Sequence, residues 1–350
     1  MKLKRLSALA LTLALTLTAC APAAPVATDT PTTAPTQTST VPPTPTPSAT
    51  VPAERTKVNL AVLKGNTGMS AVKLLSDNEE GTTANDYAVT IAAAPDEVTG
   101  KLINGDLDIA ALPTNVAATL YNKTDGGVQM LAVCGLGVLY VLEKGDTVHS
   151  VADLAGKTLY ATGQGANPEY VLNYLLKQNG LEAGRDVTVE WRTADELSTL
   201  MASGEIDLAM MPVPAATGVV MKNPDVRFAL DFTKEWDAVA DHGVLTMSCV
   251  AVRTAFAQEH PEAVNAFLKE YAASVDYVKN NVEAGAELVA KYEITPNAKI
   301  AAAAIPQINL IYVDGEEMRD SIQGYFEVLS AADPKSIGGG IPADDFYYVG

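Results

Sequence analysis

The feature that most constrains the fold of this chain is an internal repeat. Residues 96–119, DEVTGKLINGDLDIAALPTNVAAT, align with residues 195–218, DELSTLMASGEIDLAMMPVPAATG, at a constant shift. With one gap, residues 58–69 also align with residues 158–169. The aligned pairs keep an acidic residue, a glycine and a proline in register: Asp108 with Asp207, Gly105 with Gly204, and Pro113 with Pro212. Chance similarity is the alternative, but a nearly constant shift over a whole unit favours duplication.

Each copy has the pattern of a βαβαβ unit. Short apolar runs alternate with segments whose apolar residues recur every three or four positions, as expected where strands alternate with helices. This alternation is typical of an α/β fold with a largely parallel sheet. Two copies predict two lobes, each a βαβαβ-based sheet flanked by helices. Strands near residues 138–142 and 246–252 are expected to cross between the lobes and form a hinge.

The clearest loop of the second copy lies within residues 156–178, GKTLYATGQGANPEYVLNYLLKQ. A strand at 158–161 precedes a glycine-containing turn and a helix with Asn167 as its N-cap and Pro168 at its first position. The N-terminus of such a helix offers free N–H groups and a partial positive charge to a ligand. A well-capped helix without any ligand is the alternative interpretation.

Polar residues that follow the strands are candidate ligand contacts, because ligands of open parallel sheets lie beyond the carboxyl ends of the strands. In the first copy this rule selects Asn66, Thr67, Gly68, Thr114 and Asn115. Helix capping is the alternative role for Thr114 and Asn115.

In the second copy the same rule selects Arg192, whose guanidinium is suited to a sulfonate, carboxylate or phosphate. Pairing with Asp195 or Glu196 at the surface is the alternative role for Arg192. We expect Asn115 and Arg192 to contribute to ligand affinity without supporting the fold.

The first 20 residues have the pattern of a lipoprotein signal peptide. Three cations precede an apolar run at 6–17, and Leu-Thr-Ala-Cys at 17–20 matches the bacterial lipobox. Cleavage before Cys20 would allow its thiol to receive a diacylglycerol; ordinary secretion with an incidental cysteine is the alternative. Residues 21–56, rich in Pro, Thr and Ala, are expected to form a disordered tether.

Composition excludes several functions. The full chain has a net charge of −18, and removal of the three signal-peptide cations leaves 21 basic and 42 acidic residues, a net charge of −21. Such a chain repels nucleic acid. The motifs of zinc proteases, Walker loops, EF-hands and serine-hydrolase elbows are missing, so we expect no enzyme, no metal and no cofactor. Cys134 and Cys249 are expected to be buried free thiols, with a disulfide as the alternative.

The lipobox, the tether and the doubly crossed repeat resemble extracellular solute-binding proteins of bacterial ABC importers. Three segments are similar to the nitrate/sulfonate/taurine branch, which also contains binders of pyrimidine thiamine precursors: LDIAALPTNVAATLYN, VADLAGKTLYATGQGANPEYVLNYLL and CVAVRTAFAQEHPEAVNAFLKEY. The resemblance covers residues 57–350.

The resemblance implies the periplasmic-binding-protein type II fold, with lobe 1 at residues 57–144 plus 246–350 and lobe 2 at residues 145–245. A sulfonate, an oxyanion or a pyrimidine-like solute would be held between the lobes and passed to the permease subunits. The implied ligand loops add the following residues to those selected above: Pro113, Gly163, Gln164, Gly165, Ala166, Asn167, Pro212 and Val213.

Basic residues do not cluster at these loops, which leaves a neutral or aromatic solute as an alternative. The chain is expected to be a monomer on the extracytoplasmic face of the cell membrane, anchored in the bilayer through acylated Cys20. Two other functions stay open, a surface enzyme on the same scaffold and a ligand-sensing partner of a membrane receptor.

Overall fold

The structure is a computed structural model that describes residues 55–350. The expected signal peptide, Cys20 and almost all of the expected tether therefore lie outside the described residues. The described part is a mixed α/β structure that contains a six-stranded and a five-stranded sheet.

The elements follow the repeat along the chain. The first copy contains β1 (Lys57–Leu63), α1 (Asn66–Glu79), β2 (Asp86–Ala92), α2 (Asp96–Asn104), β3 (Ile109–Leu112), α3 (Thr114–Lys123) and β4 (Val128–Leu136). After β5 (Leu139–Lys144), the second copy contains β6 (Thr158–Ala161), α4 (Asn167–Gln178), β7 (Thr188–Trp191), α5 (Ala194–Ser203), β8 (Leu208–Pro212), α6 (Ala215–Lys222), β9 (Val226–Asp231) and α7 (Phe232–Val239). The remainder contains β10 (Thr246–Arg253), α8 (Thr254–Glu259), α9 (Pro261–Asn280), α10 (Val282–Lys291), α11 (Ala298–Ala304), β11 (Leu310–Asp314) and α12 (Gly315–Ala332).

The two sheets share one arrangement. The first has the order β11-β4-β10-β3-β1-β2 and the second the order β7-β6-β8-β5-β9. β1 is parallel to β2 and β3, and β6 is parallel to β7 and β8. Antiparallel β10 lies beside β3, and antiparallel β5 lies beside β8. The strand that follows the first copy, β5, therefore belongs to the second sheet, and β10 and β11, which follow the second copy, belong to the first sheet. We call the first sheet with its helices the first lobe and the second sheet with its helices the second lobe.

The chain crosses between the lobes in two short segments rather than in strands. Gly137 and Val138 connect β4 of the first lobe with β5 of the second, and residues 240–245 lead from α7 back to β10. The strands expected to cross thus each lie within one sheet, and residues 139–144, assigned above to lobe 1, pair in the second sheet. The periodicity of residues 138–142 predicts a strand correctly, but it does not specify which sheet pairs with that strand.

Hydrogen bonds hold the first crossing segment in place. Asn309 Nδ2 and Thr233 Oγ1 both donate to the carbonyl oxygen of Gly137, at 2.7 and 3.1 Å. A Cβ at residue 137 would overlap the Thr233 hydroxyl and lie 2.7 Å from Leu245 Cδ2, so only glycine fits there. Elements far apart in the sequence therefore converge on this crossing.

The aligned glycines of the repeat have the same local role. Gly105 ends α2 with φ of 84°, and Gly204 ends α5 with φ of 76°, both in the left-handed region that favours glycine. The next amide in each copy closes the helix end: Asp106 N donates to Lys101 O, and Glu205 N donates to Leu200 O. This is the glycine-ended closure common at helix C-termini, so the repeat in the sequence encodes a repeat in backbone geometry.

The two cysteines are buried free thiols. They lie in different apolar clusters: Cys134 packs with residues such as Met69 and Tyr271, whereas Cys249 packs with residues such as Leu112 and Tyr325. Burial raises the pKa of both thiols. The disulfide alternative is therefore not formed, and neither thiol is poised to react.

Two helical glycines provide a matched test of packing. A Cβ at Gly324 in α12 would overlap the carbonyl oxygen of His242, whereas a Cβ at Gly100 in α2 would meet nothing within 4 Å. Gly324→Ala is expected to lower the free energy of unfolding by about 1–3 kcal/mol through overpacking. Gly100→Ala is expected to raise it by about 0.5–1 kcal/mol through helix propensity. Urea unfolding measures both, and the same sign of change in the two variants would contradict the close approach of α12 to residue 242.

Candidate functional site

Three helices begin where parallel strands end. α1 follows β1 and α3 follows β3 in the first lobe, while α4 follows β6 in the second. The first turn of a helix presents backbone N–H groups without intrahelical partners, together with the positive end of the helix dipole. The side chains at these turns and around them form a candidate site, called here the interlobe site: Asn66, Thr114, Asn167, Thr246, Ser248 and Tyr325.

The first-lobe side of the interlobe site is a chain of hydrogen bonds. Asn66 Nδ2 donates to Ser248 Oγ at 2.9 Å, and Ser248 Oγ lies 3.4 Å from the carbonyl oxygen of Gly135. Thr246 Oγ1 lies 3.4 Å from the same carbonyl oxygen. The hydroxyls of Thr246 and Thr114 lie 3.3 Å apart. Thr114, Thr246 and Ser248 are buried. This side of the site is polar and contains no charged group among these residues.

Thr246 and Ser248 were not among the residues expected from the sequence. They lie at the amino end of β10, which runs antiparallel to β3, so its first residues lie beside the carboxyl ends of its neighbours. The strand-end rule considers only carboxyl ends of parallel strands and therefore misses them. The signal that could have found them is the exchange of strands between the two halves.

The expected contacts at the start of α1 need a correction. The helix begins at Asn66, so Thr67 and Gly68 lie in its first turn rather than in a loop after β1. Thr67 is buried, and its hydroxyl donates to Leu63 O and accepts from Leu63 N at 3.1 and 3.2 Å. A Cβ at Gly68 would lie 2.6 Å from Leu63 O. These two residues close the helix against β1, which leaves Asn66 as the side chain available at this turn.

The second-lobe side centres on Asn167. Ala166, not Asn167, is the N-cap residue of α4, and Asn167 occupies the first position of the helix ahead of Pro168. Asn167 is only 4% exposed, yet neither its side-chain oxygen nor its side-chain nitrogen has a hydrogen-bond partner among the described residues. Gln164, Gly165 and Ala166 are exposed in the preceding loop, and Gly163 is half-buried.

Tyr325 of α12 lies next to Asn167. Its ring packs against Trp236 and Phe326, with centroid distances of 6.1 and 5.6 Å. Its hydroxyl is buried and has no partner among the described residues. Burial raises the pKa of Tyr325, and the Asn167 side chain, which faces the hydroxyl outside regular hydrogen-bond geometry, acts in the opposite direction. The phenol is therefore neutral and can donate or accept a hydrogen bond.

Tyr325 was missed because it lies on the apolar face of an amphipathic helix, where a tyrosine reads as core. Tyr325 lies in the same buried apolar cluster as Cys249 and Leu112 of the first lobe, and it neighbours Asn167 of the second.

The remaining expected contacts have other partners. Asn115 Nδ2 donates to the carbonyl oxygen of Ser336 at 3.3 Å. Arg192 is exposed; its guanidinium donates to Trp191 O at 2.7 Å and pairs with Glu190 at 3.3 Å, rather than with Asp195 or Glu196. Arg192 and Asn115 are thus engaged in local contacts in this structure.

The two loops that begin with a proline lie at strand ends as expected. Pro113 is the N-cap residue of α3, and Pro212 ends β8. Val213 is buried, and its amide donates to Val138 O at 2.9 Å, which ties this loop to the first crossing segment. The second-lobe loop is therefore apolar where the first-lobe loop carries Thr114.

The described residues contain no group of three His, Cys, Asp or Glu side chains arranged to hold a metal ion. Within residues 55–350, no helix is long and apolar enough to cross a membrane. Trp236 is fully buried, and its indole N–H donates to Gly243 O at 2.9 Å, so it serves the core.

A protein-family model and several solved structures are similar to this chain. A family model described as NMT1/THI5 like matches residues 128–284. No curated protein matches the chain by sequence. Among solved structures, an ABC transporter protein from Parabacteroides distasonis superposes with a TM-score of 0.71 at 20% identity, covering 84% of this chain and 99% of that one.

Two further similar structures are of proteins named for the ligands that they bind. The periplasmic aliphatic sulphonate binding protein SsuA from Escherichia coli has a TM-score of 0.63 at 15% identity, covering 80% of this chain and 85% of its own. The periplasmic nitrate-binding protein NrtA from Synechocystis PCC 6803 has a TM-score of 0.51 at 16% identity, with coverages of 76% and 75%. This chain has a periplasmic-binding-protein fold. The expected type II fold class is thereby confirmed, as is the resemblance to this group of binding proteins.

Two buried tyrosines allow the unpartnered hydroxyl to be tested by stability. Tyr271 is fully buried like Tyr325, but its hydroxyl is 2.6 Å from Ser70 Oγ. Removing a bonded hydroxyl in Tyr271→Phe is expected to lower the free energy of unfolding by about 1 kcal/mol. Tyr325→Phe removes a buried group without a partner and is expected to leave the ligand-free protein equally stable or about 1 kcal/mol more stable. Urea unfolding of the ligand-free protein decides this; a clear loss in Tyr325→Phe would show that its hydroxyl is already bonded.

Proposed function

We propose that this chain is the extracytoplasmic substrate-binding component of an ABC importer, which captures a small solute between its lobes and delivers it to the permease. The observation that carries this proposal is the pair of buried, unpartnered polar groups on Asn167 and Tyr325. Buried polar groups are normally hydrogen-bonded, so such a pair between two lobes is accounted for by a ligand that supplies the missing bonds. The fold shared with proteins named as sulphonate and nitrate binders supports the same function.

Capture requires no covalent chemistry. The Asn167 amide offers both a donor and an acceptor, Tyr325 offers a neutral hydroxyl, and Thr114 and Thr246 offer further hydroxyls. A solute that enters between the lobes exchanges its water for these groups, and closure of the lobes then excludes bulk solvent.

Two solute classes fit the interlobe site. A sulfonate or oxyanion would be held by the first-turn N–H groups of α3 and α4 and by their dipoles. A pyrimidine-like solute would pair its ring nitrogens and amino groups with the Asn167 amide and place its flat face near the aromatic residues around Tyr325. The site residues named above include no lysine, arginine or histidine, so an anion would depend on helix N-termini and on neutral donors.

The membrane attachment and the monomeric state belong to this proposal. Acylation of Cys20 would fix the chain to the bilayer, and residues 21–56 would hold the binding lobes at a distance from the membrane and near the permease. The lobes are best divided at the two crossing segments, residues 137–138 and 240–245, because the sheet pairing changes there.

The enzyme alternative would need a reactive side chain at the interlobe site. His149 is exposed and lies 3.6 Å from Asp146, and His242 pairs with Glu327 at 2.9 Å. Neither histidine is among the residues of the interlobe site, and Cys134 and Cys249, which are also not among them, are protonated because burial raises their pKa. A receptor partner would use the same site, and a permease and an ATPase encoded beside this chain would favour the importer.

A thermal-shift screen over sulfonates, oxyanions, pyrimidines and amino acids tests the function. A solute at 100 times its dissociation constant is expected to stabilise the protein by about 2.7 kcal/mol. For that solute, Asn167→Ala and Tyr325→Phe are each expected to weaken binding about tenfold or more, since a buried hydrogen bond is lost. Isothermal titration calorimetry measures the affinities.

Tyr271→Phe is the matched control and is expected to bind the solute as the wild type does. If a solute binds both Asn167→Ala and Tyr325→Phe with unchanged affinity, that solute does not bind at the interlobe site. The protein could then still be a solute-binding protein. A screen without any stabilising solute in the four classes would contradict the proposed function itself.

A further inference from the structure

A concave site lies outside the interlobe site. A groove of about 610 Å³ runs between α4 and α12, with residues 241 and 242 at its side. This volume lies within the range of small-molecule sites in proteins. α4 belongs to the second lobe, α12 packs on β4 and β11 of the first, and residues 241 and 242 belong to the second crossing segment. An occupant of the groove would therefore contact both lobes and the segment that joins them.

Two tyrosines give the groove its aromatic surface. Tyr170 and Tyr174 are four residues apart on α4, which places them on one face of the helix, and both line the groove. Tyr174 is half-buried, and its ring centroid lies 4.7 Å from that of the buried Trp236. This packing holds the Tyr174 ring in place. Rings held in this way offer a firm surface to the apolar part of a ligand.

Acidic groups outnumber basic groups around these rings. Glu169, Asp241 and Glu327 line the groove, against Lys177 and His242. Asp241 has no ion-pair partner among the described residues, while Glu327 pairs with His242 at 2.9 Å.

The carboxylates also face the rings. Burial is the main cause of a raised pKa of Tyr174, and the charge of Asp241 raises it further. For Tyr170, burial is again the main cause, and Asp333 and Glu169 raise the pKa further. Tyr170 Oη also donates to Asp333 at 3.4 Å. Negative charge is therefore directed at the same surface that the two rings form.

We propose that this groove is a second ligand site, for an organic ammonium compound. Its cationic head lies between Asp241, Glu327 and the faces of the tyrosine rings, and its apolar part lies along α12 at Val328 and Ala331. Carboxylates combined with aromatic faces attract ammonium groups through charge and through the ring quadrupole. The net negative charge of the chain, −18 over its full length, raises the local concentration of such cations.

Choline and 3,3-dimethylbutan-1-ol provide the test, because they have nearly the same shape and differ in charge. Calorimetric titration of the full mature protein at low ionic strength is expected to show choline binding with a dissociation constant of about a millimolar and the alcohol at least about fivefold weaker. Salt at several hundred millimolar is expected to weaken choline binding, because exposed charges are screened.

Variants of groove residues test where choline binds. Asp241→Asn is expected to weaken choline binding about threefold to fivefold, and Ala331→Tyr, which fills the groove from an exposed helical position, is expected to abolish it. Asp195→Asn on α5 is the matched control, because it removes one exposed carboxylate that does not line the groove, and it is expected to change nothing.

Three results would overturn the second site. These are equal binding of choline and the alcohol, no heat of binding with choline at tens of millimolar, and equal losses in Asp241→Asn and Asp195→Asn. Tyr325→Phe separates this site from the interlobe site. It is expected to retain choline binding, and loss of choline binding in that variant would place choline in the interlobe site and contradict the proposal.

Discussion

The exchange of antiparallel strands between the two halves of the chain is the constraint on which the rest of the structure depends. β10, from the second half of the chain, pairs with β3 and β4, and β5, from the first half, pairs with β8 and β9. Each sheet is incomplete without the other half, so the lobes cannot fold as separate consecutive domains. The exchange also brings Thr246 and Ser248 to the end of the first sheet where α1 and α3 begin, which makes that end polar.

A binding protein has to keep polar groups ready for a solute that is absent most of the time. Most buried polar groups of the first lobe are satisfied internally, as in the pairs Asn66 with Ser248 and Ser70 with Tyr271. Asn167 and Tyr325 differ, since both are buried and both lack partners among the described residues. An unpartnered buried group destabilises a protein by about 1–3 kcal/mol, and a ligand that supplies its partner recovers that energy as affinity. Stability and binding are thus expected to oppose each other at these two positions.

Much of the fold could be predicted from the sequence. The apolar Val98 and Leu102 are four residues apart and Gly105 follows, a pattern that predicts a helix ended by glycine, and α2 spans Asp96–Asn104. The start of α1 could not be predicted, because Gly-Asn-Thr-Gly reads as a loop and only contact with Leu63 and Ile294 shows why glycine is needed at residue 68. The capping role of Asn167 was wrong for a related reason: its side chain turns into the protein beside Tyr325 instead of capping α4. Long-range packing determines the start of α1 and the direction of the Asn167 side chain. The local sequence pattern contains no information about that packing.

The most direct measurement is a crystal structure of the protein with a stabilising solute from the screen. The account predicts solute density between the first turns of α3 and α4, with polar atoms of the solute within hydrogen-bond distance of Asn167 and of the Tyr325 hydroxyl. Solute density elsewhere, with Asn167 and Tyr325 still without partners, would contradict the claim that the solute is held between the two halves of the duplicated chain.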